Sequence, residues 1–217
     1  MKNLLKKEMK LSSSPLSYIF ILFGLAAFLP GYPILIGSFF LCLGLFQSFQ
    51  TMREANDITY SSLLPVSKSD IVKVKYLFCV IIEMCFFAVT SIPVIIRLTI
   101  LSDIAVYRQN ALMNANLVYL GYTLIILGFF NLIFVGGFFK TAYNFGKPFL
   151  EFIFSAFCVI AAGETLFHIP ALSALNSFGF DNIGVQFSAL VSGIIIYIIL
   201  TVFSLSRSIT NFDRIDI

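Results

Sequence analysis

Four ionisable side chains stand inside or at the ends of long apolar runs: Glu83, Arg97, Glu164 and His168. A lone carboxylate in hydrocarbon is expensive, so Glu83, about 10 Å into its run, should face protein or a water-filled cavity. Lining a cavity, it would attract cationic cargo; snorkelling or neutralisation is the other reading. Arg97 and Glu164 fall near the outer ends of their runs, at similar height. Pairing would lower the cost of burying either, so a structural ion pair is expected there. His168 lies one turn beyond Glu164 and has no nucleophile at helical spacing. The chain contains no HExxH and no GxSxG, which argues against an intramembrane hydrolase. It also lacks a GxxxxGK[ST] phosphate loop; the nearest string, Phe145-Gly146-Lys147-Pro148, has no glycine-rich turn. No catalytic site is expected in this chain. Cys42, Cys79, Cys85 and Cys158 all lie in apolar runs, with no CxxC and no Cys/His cluster that suggests a metal. They are expected to be small buried apolar side chains.

The elements that must position these groups follow from composition. The chain is 59% hydrophobic and 12% charged, with mean hydropathy +0.97. Soluble domains average about 25% charged residues, so lipid is the expected solvent. The net charge of +3 sits at the ends of apolar runs rather than in a patch, which argues against nucleic acid. Six runs emerge: 14–29, 34–49, 76–101, 116–139, 148–167 and 183–205. Their continuous apolarity, without strand-like alternation, predicts an all-α polytopic membrane protein with six transmembrane helices. Residues 1–217 form one transmembrane domain. Pro30-Gly31-Tyr32-Pro33 predicts a tight turn between the first two runs. Each of those arms is short, so a re-entrant pair is the alternative to a full hairpin. No small-residue cleavage site follows the basic N-terminus, which predicts a retained first span.

Lysine and arginine give the orientation. Twelve fall on one side of the runs and two, Arg97 and Arg108, on the other. By the positive-inside rule both termini are cytoplasmic, which requires an even number of spans. The start of the chain, residues 1–13, can form an amphipathic interfacial helix, with Leu4, Leu5 and Met9 opposite Lys6, Lys7 and Lys10.

One polar insert, residues 52–75, interrupts the pattern on the cytoplasmic side. Arg53 to Asp57 should extend the second span as a helix, and Leu63-Leu64-Pro65-Val66 should break it. Ser67 with Asp70 three residues on resembles a capping box, from which a helix would run into the third span. The result is a polar elbow that displays a few apolar side chains. Such a surface suits docking, but an ordinary loop whose leucines fold back on lipid has the same composition.

The stretch Leu63-Leu64-Pro65-Val66-Ser67-Lys68-Ser69-Asp70-Ile71-Val72, followed by Lys75-Tyr76, resembles the segment between spans two and three of ABC-2 type transporter permeases. The basic LLKKE start, Phe145-Gly146-Lys147 and the tail from Ser208 to Asp213 are similar as well. Within the family, the chain looks most like permease subunits of the phenol-soluble-modulin exporters of Gram-positive bacteria. The resemblance implies a transmembrane exporter subunit in the bacterial cytoplasmic membrane, carrying amphipathic peptides or similar hydrophobic cargo. It implies a separate ABC ATPase subunit, which binds ATP and Mg, and a second permease subunit, identical or different. Residues 52–75 would be the coupling segment, with docking on Asp57, Leu64, Pro65, Val66, Ser67, Asp70 and Ile71. A toxin-immunity permease would share this architecture. A secondary transporter or channel without an ATPase partner would have no need of the insert.

Overall fold

A computed structural model describes residues 2–63, 65–141 and 144–215, with backbone only at Ser62. The described residues contain helices and connecting turns and no strand. The long helices fall on the apolar runs. In chain order the helices are α1 (Lys2–Ser12), α2 (Pro15–Phe28), α3 (Ile36–Glu54), α4 (Asp57–Ser62), α5 (Lys68–Thr99), α6 (Ala105–Arg108), α7 (Leu117–Phe138), α8 (Gly146–His168) and α9 (Ile183–Asp213), α4 and α6 being short.

Four of these, α5, α7, α8 and α9, are long and apolar enough to cross a membrane. That differs from the expected six. The first two runs become α2 and α3, joined by the Pro30–Pro33 turn in which Gly31 takes φ +74°. α2 has only 14 residues, but its last nine, Phe20–Phe28, are 3₁₀. At 2.0 Å rise per 3₁₀ residue the helix reaches about 25 Å, more than an α-helix of that length. α3 carries Gln47, Gln50, Arg53 and Glu54 in its C-terminal half, which lowers its hydropathy. Counting the bent pair α1 and α2 as one broken span would raise the number to five.

α1 turns 99° away from α2. The break falls at Ser13-Ser14-Pro15, where Ser14 caps α2 and its amide donates to Ser48 Oγ at 2.8 Å. Proline at the first helical position needs no donor, so the chain can restart there without loss.

α7 is the central helix: 72% of its apolar window is buried, against 17% for α9. α9 crosses α7 at glycine on both sides, where a Cβ on Gly193 would lie 2.7 Å from Gly121 Cα and 2.6 Å from its carbonyl oxygen. Lipid gives no hydrophobic drive to hold two apolar helices together, so close backbone approach does it by dispersion. The outer face of α9, including Ile195, Ile199 and Phe203, stays exposed.

Phenylalanine builds the core between α3, α7 and α8. Phe46 stacks on Phe149 at 3.8 Å between centroids, Phe49 meets Phe134 at 5.1 Å, and Phe130 meets Phe152 at 5.1 Å. The cysteine expectation holds for two of four. Cys42 and Cys79 are buried, whereas Cys85 and Cys158 are exposed on the apolar exterior. In a membrane protein the outside is as apolar as the inside, so an apolar run does not say which way a small residue points.

Candidate functional site: a charge-pinned elbow

The elbow starts where α3 ends at Glu54. Asn56 adopts the left-handed conformation at φ 49°, which Asn tolerates better than most residues, and the chain turns into α4. The expected continuous extension of α3 through Asp57 is therefore broken at Ala55-Asn56. Beyond α4 the chain passes Pro65 and Val66 to Ser67. Ser67 Oγ accepts from the Asp70 amide at 3.1 Å and caps α5, as its spacing suggested.

α4 is bolted down on one face. Asp57 is 8% exposed, and its carboxylate meets both Lys7 and Lys75, the latter at 3.0 Å. Lys75 is itself buried in α5 and also pairs with Glu8, which is buried in α1. Lys7 lies 3.7 Å from Glu8 and donates to Ser61 Oγ at 2.6 Å. Two ammonium groups and two carboxylates thus close a neutral cluster joining α1, α4 and α5. Ile58, on the same face of α4, packs into the core. The opposite face is open: Tyr60 is 67% exposed and Leu63 79% exposed, with Pro65 exposed beside them. The C-terminal tail joins from below, where Lys68 Nζ donates to the Ile215 carbonyl at 2.6 Å.

Burial pushes the Asp57 carboxyl up, but the Lys75 and Lys7 ammonium groups more than offset this and hold it below the usual carboxylate range. A carboxyl depressed in the folded state contributes stability that is fully present above its unfolded value, about 3.9, and is lost as pH falls through the folded value. Hydrogen exchange over residues 2–12 is expected to stay protected down to about pH 4 and to lose protection below it. Loss of protection that begins near about pH 6 would show that another group controls the joint.

The structure places the other expected docking residues as follows. Leu64 lies outside the described residues. Val66 is half-buried against the core, and Ser67 is exposed. Asp70 is half-buried and 3.8 Å from Lys73; Ile71 is buried. Asp57, Val66 and Ile71 thus hold the elbow in place, while Pro65 and Ser67 lie on its open side. Glu8 and Lys75 were missed, although a signal existed. Lys75 falls on the same helical stripe as Ile71, Cys79 and Ile82, so a cation on that face needs a buried partner.

Two intramembrane expectations are corrected. Glu83 was expected to line a cavity, but it is 0% exposed and held between helices. Its Oε2 accepts from Tyr197 on α9 at 2.6 Å and from Asn131 on α7 at 2.9 Å. Asn131 sits where α7 widens into a π-turn, Phe130–Val135, and its carbonyl there accepts from Ser204. The desolvation cost favours such a clasp, since neighbouring helices can supply the donors that water would.

Arg97 and Glu164 form no ion pair among the described residues. Arg97 donates to the Ala27 carbonyl at 3.0 Å and to Asn114 Oδ1 at 2.7 Å, with its guanidinium 4.2 Å from the Tyr107 ring centroid. Glu164 accepts from the Met113 amide at 2.9 Å. Both groups therefore grip adjacent residues, Asn114 and Met113, of one connecting loop. Arginine's several donors let carbonyl, amide and ring stand in for a carboxylate.

A family model described as ABC-2 family transporter protein matches residues 3–213. No curated protein and no solved structure matches the chain.

Proposed function

The chain belongs to the ABC-2 family of transporter proteins, and from that premise we propose that it is the permease subunit of an ATP-driven exporter, coupled to its ATPase through the elbow between α3 and α5. Membership makes it a transmembrane subunit of an ABC transporter, a membrane transport component, and implies an ABC ATPase partner. The finer statements are our reading. The ATPase binds ATP and Mg and docks on the open side of α4 and the segment after it. Two permeases face each other in the bacterial cytoplasmic membrane, with both termini inside. α2 and α3 complete six spans. The cargo is an amphipathic peptide or similar hydrophobic molecule, as in the phenol-soluble-modulin exporters.

One observation carries the coupling assignment. α4 is fixed to α1 and α5 by buried charges on one face and displays Tyr60, Leu63 and Pro65 on the other. A loop that merely connected two spans would need neither the buried charges nor the apolar display. Force applied at Leu63 passes through Asp57 to Lys75, and so to the first turns of a helix 32 residues long. The hydrophobic cargo draws support from an apolar groove of about 500 Å³ between α7 and α8, lined by Tyr122, Phe129 and Phe154. Phenylalanine content by itself does not support it, because many of the rings are committed to the core.

The test is affinity purification of the tagged chain from its native membranes in mild detergent. An ATPase of about equal copy number is expected to co-purify. Leu63→Asp with Pro65→Ala should remove it while leaving the permease inserted and monodisperse, because both side chains are exposed. A wild-type chain that purifies alone would favour a secondary transporter or channel and return the elbow to an ordinary loop.

A further inference from the structure

At their cytoplasmic ends α8 and α9 both pack on α7, and a cavity of about 250 Å³ opens between the three helices. Its lining is divided. Leu132 and Ile133 on α7 form an apolar wall. Lys140, Arg207 and Asn211, with Glu151 and Ser208, make up its polar mouth. Ser208 is committed elsewhere, bonded to the Tyr76 hydroxyl at 2.8 Å. Glu151 is 3.9 Å from Lys147, its neighbour one turn back on α8. Lys140 and Arg207 have no such engagement. Among the described residues neither has a carboxylate within ion-pair distance, and both side chains are exposed.

We propose that this cavity binds one phosphate-ester group, clamped between Lys140 and Arg207. Two cations on one cavity, facing a single carboxylate already shared with Lys147, leave a positive field at the mouth. Arginine offers a planar fork that matches phosphate oxygens two at a time, and lysine adds a point charge. Asn211 supplies a further amide donor. The cavity lies at the end of the basic side of the molecule, where an inner-leaflet lipid presents its phosphate. Basic pockets between helices at that level suit anionic headgroups. The apolar wall of Leu132 and Ile133 would accept the start of an acyl chain. A free phosphate ester in the cytoplasm offers the same charged group without the chain.

Native mass spectrometry of the purified full chain distinguishes these sources. The probes are phosphatidylglycerol, in one arm, and glycerol phosphate, in the other, each added to delipidated protein. Wild type is expected to retain one equivalent of a probe. Lys140→Gln with Arg207→Gln, which keeps the stems and removes the charges, should retain it at least tenfold less. Arg207→Lys should recover part of the loss. Lys10→Gln, a basic residue of α1 that is not part of the cavity lining, should match wild type. Retention of phosphatidylglycerol alone identifies a lipid site, and retention of both probes identifies a phosphate site open to the cytoplasm. Equal retention by wild type and the double variant, or an equal loss in Lys10→Gln, would overturn the assignment, since surface charge in general would then explain the binding. Melting of the double variant at the wild-type temperature keeps misfolding apart from loss of the site.

Discussion

Lys75→Met is expected to detach the N-terminal helix and to uncouple the permease from its ATPase. The side chain is 4% exposed, and its ammonium ties both Glu8 and Asp57 to α5. Removing it leaves two buried carboxylates facing one lysine, Lys7. Breaking a buried pair from one side costs about 3–5 kcal/mol, because the remaining charge has lost its water and gained nothing. That cost should be relieved locally. α1 is short, is held beyond this cluster by Leu5 against the core and by the Tyr18 hydroxyl on the Met9 carbonyl, and is already separated from α2 by a 99° bend. Trypsin cleavage after Lys6 and Lys7 should therefore accelerate severalfold in the variant while the spans stay intact. Lys73→Met provides the comparison. It lies two residues away on the same helix, but its side chain is 44% exposed and its pair with Asp70 is open to water. Exposed pairs contribute about 0–1 kcal/mol, so cleavage should be unchanged there. Equal cleavage in wild type and Lys75→Met would show that the cluster does not hold α1. Normal transport in a variant whose α1 is released would separate the joint from coupling.

The same residue shows what the sequence makes legible. The helices were readable because each is a continuous apolar run, and in lipid that continuity is a direct physical requirement. Bounds moved mainly where a run met polar sequence. α5 begins eight residues before the apolar run at Tyr76, since Ser67 caps it there and Lys75 can be buried with partners. The partners were not readable. Glu8 is 67 residues from Lys75 and Asp57 is 18, and no local spacing connects them. α5 makes this general. Its buried stripe carries Lys75, Glu83 and Arg97, one charge at each end and one within. Helical spacing alone reveals that all three face inward. Which atoms answer them depends on tertiary placement: α1 and α4 for Lys75, α7 and α9 for Glu83, the Ala27 carbonyl and Asn114 for Arg97. The Arg97–Glu164 pairing failed for this reason. Equal height is necessary for contact but says nothing of azimuth, and an intervening loop took both groups. The elbow was legible as an element from its composition, but its two faces were not, because Asp57 looks like any solvated acid until Lys7 and Lys75 are placed.

Gly193→Val should prevent α7 and α9 from closing, with a larger effect than any surface change in the chain. A Cβ at position 193 would lie 2.6–3.0 Å from three backbone atoms of Gly121. A clash with a flexible side chain can relax by rotation. A clash with backbone moves a helix. Overpacking in cores costs about 1–3 kcal/mol where side chains can yield, and here they cannot. The displacement would also reach the Glu83 clasp. Tyr197 is four residues along the same face of α9, and its hydroxyl holds Glu83 at 2.6 Å. Asn131, the other donor to Glu83, sits on α7. Pushing the two helices apart at Gly193 therefore pulls both donors away from one buried carboxyl group, and the packing loss is compounded by an unsatisfied buried polar group. Size-exclusion chromatography in mild detergent should show Gly193→Val as aggregate and Gly193→Ala as a species of reduced thermal stability. Gly184 lies on the same helix with nothing within 4 Å of its Cβ position, so Gly184→Ala should elute and melt like wild type. A monodisperse Gly193→Val with unchanged melting would mean that α7 and α9 do not meet at these glycines, and the clasp on Glu83 would then need other donors.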